Sequence, residues 1–197
     1  MKRSNLIIRT AATAAVGALA LTGCGSPGEE ETTQSSPTQT ASDSPTSNNG
    51  DGGHDHKPHG APPPEGIEES SDPTYAVGET VVLTADHMPG MEGSEATISG
   101  AFDTNTYSVS YTPTNGGDPV TDHKWVVHEE LESPGEPPLE EGTEVVLNAD
   151  HMTGMEGAEA TVDSSTDETA YMVDLEMNGM EMTNHKWVVE SEIQPAE

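Results

Sequence analysis

Residues 80–88 read Thr-Val-Val-Leu-Thr-Ala-Asp-His-Met, and residues 144–152 read Glu-Val-Val-Leu-Asn-Ala-Asp-His-Met. The chain therefore repeats itself at an offset of 64. The offset holds through Gly-Met-Glu-Gly, Glu-Ala-Thr and the pair Tyr107/Tyr171 as far as Val109/Val173. It then falls to 62, so that His123-Lys124-Trp125-Val126-Val127 matches His185-Lys186-Trp187-Val188-Val189. A repeat of this length marks a duplicated structural unit and governs the fold expectation. Within it the apolar residues alternate. Val81, Leu83 and Ala85 share one parity; Ala96, Ile98 and Phe102 share another; Tyr107, Val109 and Tyr111 alternate with Ser108 and Ser110. Period-two alternation between Pro-Gly and Asn-Gly-Gly turn signals predicts antiparallel strands, and no segment has a helical period.

The expected fold is all-β: two tandem small barrel modules of the SH3/KOW-like kind, at residues 74–132 and 139–193. A Pro-rich connector, 133–138, holds Pro134, Pro137 and Pro138, and 194–197 is a short tail. The spacing Gly78, Val81, Gly90, Gly93, Ile98 resembles the strand–loop–strand signature of such barrels.

Outward from the repeats the composition changes. Lys2, Arg3 and Arg9 precede an apolar stretch, about 11–21, that ends Leu21-Thr22-Gly23-Cys24. The stretch is too short to span a bilayer and reads as a signal peptide, residues 1–23. Its end resembles a bacterial lipobox, which implies that Cys24 is lipidated and holds the protein on the outer face of the cell membrane. Residues 24–73 are rich in Ser, Thr, Pro, Gly and acids, with Ile67 the one large aliphatic side chain after the lipobox; they read as a disordered stalk. The chain has 36 acidic against 6 basic residues, a net charge of −30. Losing residues 1–23 would make that −33. Such a charge excludes nucleic acid as a partner, because phosphate binding needs a Lys/Arg footprint. A single Cys excludes an intramolecular disulfide.

The chemistry is concentrated in His and Met. Each repeat carries His-Met-x-Gly-Met (His87, Met88, Met91; His151, Met152, Met155) and a second His at the last strand (His123; His185). Repeat two adds Met177, Met180 and Met182. Thioethers are soft neutral donors that, with imidazole, suit Cu(I). If the first and fourth strands of a module are neighbours, one His from each converges with a Met beneath Trp125 or Trp187, which share parity with core valines. The competing reading is that Met fills the core and His bonds a carbonyl. In the stalk, His54, His56 and His59 form a flexible cluster suited to loose binding of Cu(II), Ni(II) or Zn(II). No nucleophile elbow, phosphate loop, zinc-protease helix or catalytic thiol is present, so no enzymatic activity is expected.

Tandem Ala-Asp-His-Met-x-Gly-Met-x-Gly-x-x-Ala-Thr (85–97, 149–161), a Tyr-x-Val strand and Asn184-His-Lys-Trp-Val-Val-Glu-Ser-Glu-Ile193 resemble the YdhK family of Gram-positive lipoproteins. Repeat one departs at Ser94, Asp122 and His128, none of them a candidate ligand. The resemblance implies a surface lipoprotein and an association with copper or heavy-metal handling. Two functions follow as expectations. One is a monomeric, lipid-anchored protein that binds copper for buffering or hand-off. The other is an envelope module that recognises a wall polymer or an envelope protein while His and Met only pack.

Overall fold

The computed structural model describes residues 57–196, so Cys24, His54, His56 and the signal peptide lie outside the described residues. The described part is all-β apart from two single-turn 3-10 helices. Its strands are β1 (Glu68–Glu69), β2 (Thr80–Leu83), β3 (Glu95–Asp103), β4 (Thr106–Tyr111), β5 (Val120–Val127), β6 (Glu144–Val146), β7 (Glu159–Thr166), β8 (Ala170–Met177), β9 (Met180–Val189) and β10 (Ile193–Pro195). Among the described residues no helix is long and apolar enough to cross a membrane.

The alternation read from the sequence holds in part: a register shift between Ile98 and Gly100 packs Phe102 with Trp125 and Trp187 and not with Ala96 and Ile98, and Ser108 is buried as well as its inward neighbours. Val81, Leu83 and Ala85 are buried, as are Ala96, Ile98 and Phe102, and Tyr107, Val109 and Tyr111. The pairing differs from two tandem barrels. One sheet runs β10-β2-β3-β8-β9, with β1 also on β3; the other runs β5-β4-β7-β6. Each sheet therefore combines the first half of one repeat with the second half of the other. β3 and β4, joined by two residues, do not pair as a hairpin. Instead β3 pairs β8, with Ala96 opposite Leu175, and β4 pairs β7, with Tyr111 opposite Ala160. Those two registers are the same register under the repeat offset, so the exchange is symmetric. A connection of two residues, 104–105, carries the chain from one sheet to the other, and residues 167–169 do the same in repeat two. Both repeats belong to one compact unit. The expectation of one self-contained barrel per repeat is thus corrected. Alternation decides which side chains face inward, and it is the same whichever copy of the partner strand is used.

Three apolar clusters result. One fills the β2-β3-β8 sheet and includes Leu83, Met91, Ile98 and Tyr171. A second fills the β4-β7-β6 sheet and includes Tyr107, Leu147, Met155 and Val162. The third joins the halves: Phe102, Trp125, Val127, Ala170, Met172, Trp187 and Val189. Phe102 and Trp187 meet edge-to-face at 5.6 Å there, a favoured aromatic geometry.

The stalk and tail boundaries also move. Residues 57–73 lie on the fold: Glu68 and Glu69 pair with β3, the Ser70 amide donates to Ala101 O at 2.9 Å, and Ile67 packs on the third cluster. At the other end, Gln194 and Pro195 pair with β2. Short polar segments like these are held by main-chain bonds to a sheet that already exists, which composition does not register.

Candidate functional site

The His-Met-x-Gly-Met loops are two-residue turns. The Met91 amide donates to Met88 O at 3.1 Å, and the Met155 amide to Met152 O at 3.2 Å. Gly90 and Gly154 take φ of 90° and 83°, the left-handed third position that such turns require. The turn folds both methionines back under the sheet. Met91 and Met155 are fully buried, and Met88 and Met152 nearly so. Their thioethers plug the two cores. Met182 is also core, Met177 is partly buried against the first cluster, and Met180 is 53% exposed. The Met177–Met182 stretch is thus the β8–β9 hairpin rather than a gathered three-sulfur loop.

The histidines of the two loops meet carboxylates that the sequence reading did not select. His151 Nε2 lies 2.9 Å from Glu130 Oε1. Glu130 also accepts from Lys186 Nζ at 3.2 Å, from Trp187 Nε1 at 2.8 Å and from the Val127 amide at 3.4 Å. In the other half His87 Nε2 lies 2.7 Å from Glu192 Oε1, and Glu192 Oε2 accepts from Trp125 Nε1 at 2.9 Å and the Val189 amide at 3.1 Å. Each constellation takes residues from both repeats, so the strand exchange builds it. Lys124 and Lys186 lie over their neighbouring indoles at 5.6 and 5.3 Å, within cation–π range. The Lys124–Trp125 and Lys186–Trp187 peptide bonds are both cis.

The two constellations are not equivalent. Lys186 bonds Glu130, whereas among the described residues Lys124 makes no matching bond to Glu192. The Glu130 side chain is 4% exposed and that of Glu192 is 15%. Burial of Glu130 opposes its ionisation, yet His151, Lys186 and Trp187 outweigh this and hold its carboxyl at about 2. Burial likewise opposes the charge on Glu192, and His87 and Trp125 bring it below the ordinary carboxylate range. The signal for both glutamates was in the sequence: each stands five residues after its Trp, in His-x-Trp-Val-Val-x-x-Glu, in both copies.

β2 and β5 lie in different sheets, so the first and fourth strands of a repeat are not paired as expected. His87 meets Trp125 edge-on at 6.4 Å. His123, on β5, instead faces His151 of the other repeat, with ring centres 6.0 Å apart. Tyr111 joins this group: its ring is edge-on to His123 at 6.2 Å, and its hydroxyl donates to Met152 Sδ at 3.9 Å. In the other half Leu175 replaces Tyr111. His151 and His185 both line a small cavity of about 30 Å³, with Lys57, Gly60, Ala61, Asp150 and Lys186. That is room for one or two waters. The Nδ1 atoms of His87 and His151 are buried without a hydrogen-bond partner. Among the described residues no three His, Cys, Asp or Glu side chains gather in metal-ligating geometry. His59, from the stalk cluster, lies at the β9 edge, where its Nδ1 is 3.0 Å from Thr183 Oγ1.

The family described as "Protein of unknown function (DUF1541)" matches residues 77–128 and 141–190, once per repeat. The uncharacterized protein YdhK of Bacillus subtilis strain 168 is 51% identical over 132 residues, which cover 66% of this chain and 64% of that one. A crystal structure of YdhK from the same organism aligns with a TM-score of 0.67 at 49% identity, over 69% of this chain and 94% of that chain. A solution NMR structure of the YdhK C-terminal domain aligns at 0.58 and 49% identity, over 61% of this chain and 92% of that domain. Two matched copies spanning just over half of the chain, in a fold shared with solved relatives, show that this chain belongs to the DUF1541 family.

Proposed function

We propose that this chain is a monomeric, lipid-anchored protein of the outer face of the cell membrane that has no enzymatic activity and binds a soft metal ion, Cu(I) foremost, for buffering or hand-off. The ligands are His151 and His123, one from each repeat, with the Met152 thioether as a third donor. The observation that carries the reading is the state of His151. Its Nε2 is engaged by the Glu130 carboxylate, and its Nδ1 is buried without a partner. A carboxylate that fixes one imidazole nitrogen and leaves the other lone pair available is the usual outer-shell arrangement of a ligating histidine. Two imidazoles sharing one ion at about 2 Å per bond put their ring centres at most about 6 Å apart, and His123 and His151 are at 6.0 Å. Cu(I) accepts two or three ligands of this softness, so three hard donors are not needed. Met152 is preferred to Met91 and Met155 because Tyr111, edge-on to His123, also bonds its thioether.

Anaerobic titration with Cu(I) against a competing chelator, with Zn(II) alongside, tests this. One ion is expected to bind tightly. His151→Ala or His123→Ala should weaken binding at least about tenfold, and Glu130→Gln by a similar factor through His151. Met91→Leu and Met155→Leu, which keep shape, should leave affinity unchanged and lower stability by less than about 1.5 kcal/mol. Unchanged Cu(I) affinity in the His123/His151 double variant would end the proposal.

A further inference from the structure

The outer edge of β9 is covered by the chain itself. The Gly60 amide donates to Thr183 O at 2.8 Å, and the Thr183 amide donates to Pro58 O at 3.0 Å, with His59 bridging Thr183 in parallel register. The Lys57 amide donates to His151 O at 3.3 Å, and Lys57 Nζ pairs with Asp150. Gly60 is required there, because a Cβ at that position would lie 2.0 Å from the Asn184 carbonyl oxygen. Residues 57–60 are thus an extended strap whose lysine answers a carboxylate and whose glycine passes a protruding carbonyl.

Internal symmetry supplies a second such edge. β5 is the outer strand of its sheet as β9 is of the other. Thr121 corresponds to Thr183, Asp122 to Asn184, and Asp86 to Asp150. The backbone kink is the same, since Asp122 and Asn184 both have φ of 50°. Yet Thr121, Asp122 and Asp86 are exposed, and no segment among the described residues covers them, while Thr183 and Asn184 are partly buried.

We propose that the β5 edge at Thr121–Asp122, together with Asp86 as the counterpart of Asp150, docks an extended basic peptide segment of a partner protein, one with a lysine three residues before a glycine. Main-chain bonds from Thr121 would add the segment as a parallel strand, the mode seen intramolecularly at Thr183. Asp86 would take the lysine. Asp122, where the covered edge has a neutral Asn, adds a second carboxylate and favours a basic ligand over the chain's own acidic surroundings. A second copy of this chain is the poorer occupant. Its strap is covalently close to its own β9 and held there by a high effective concentration. The inference does not depend on metal binding.

The probe is a synthetic peptide of residues 54–63, titrated to millimolar concentration into the full chain labelled with 15N. Saturable shifts are expected at the Thr121, Asp122 and His87 amides. Asp86→Lys in the protein, or alanine in place of the peptide's glycine, should weaken binding at least about fivefold. Asp86 is exposed, so the substitution is expected to change stability little. Three results would overturn the proposal: no shift at Thr121; shifts confined to Thr183 and its neighbours, which mean exchange with the resident strap; or the same Thr121 shifts on concentrating the protein alone, which make a second copy the occupant.

Discussion

Glu130→Ala will lower the unfolding free energy by about 3–5 kcal/mol at neutral pH, the cost of removing one partner from a buried, hydrogen-bonded charge cluster. The carboxylate is almost wholly enclosed and accepts from His151, Lys186, Trp187 and the Val127 amide. Removing it strands a buried lysine, an indole N–H and an amide at once. Glu192→Ala should cost less, about 1–3 kcal/mol, because Glu192 is more exposed and, among the described residues, binds no lysine. Urea unfolding of the two variants checks both size and order. Equal losses would mean that Lys186 contributes nothing to the difference.

The same carboxylate sets an acid limb. Its folded pKa of about 2 lies below the ordinary 4.5, so the folded state favours the ionised form. A depressed pKa gives stability that is fully present above 4.5 and is lost as pH falls from there towards about 2. Urea midpoints followed through that window should fall in the parent and fall less steeply in Glu130→Ala. A parent profile flat through that window, or a variant profile as steep as the parent's, would contradict the assignment.

The second large effect concerns the repeats. A fragment of residues 139–197 should not fold as a monomer. Cutting the chain there keeps the β6–β7 and β8–β9 hairpins but removes β4 from β7, β3 from β8 and β2 from β10. It also removes Glu130 from His151 and Trp187. Two-stranded hairpins without a packed third strand are marginal in water. Circular dichroism and light scattering should find the fragment unfolded or paired with a second fragment in the exchanged arrangement. Adding residues 57–138 should restore native structure. A monomeric fragment that unfolds cooperatively would show that one repeat can close on itself, and that the exchange is not obligatory.

Much of this was legible in the residues. The repeat, the inward parity of Val81, Leu83 and Ile98, the strands and the burial of Trp125 and Trp187 follow from period and side-chain chemistry, which are local properties. The glutamates were legible in principle, as the last member of a motif present twice, but nothing local separates a buried Glu from the chain's many solvated ones. Met91 and Met155 read equally well as donors or packing, because a thioether is both soft and apolar, and only the structure shows the turn that folds them under the sheet and buries them.

The sequence alone, then, determined the strands, the inward parity of most of their apolar residues, and that the unit occurs twice. Only the tertiary structure decided which copy each strand pairs with. Two repeats of the same pattern offer every strand two partners of like alternation, and the choice rests on connections too short to announce it: residues 104–105 and 167–169, which cross between sheets instead of turning back. From that choice follow His151 beside His123 and Glu130 beneath Trp187.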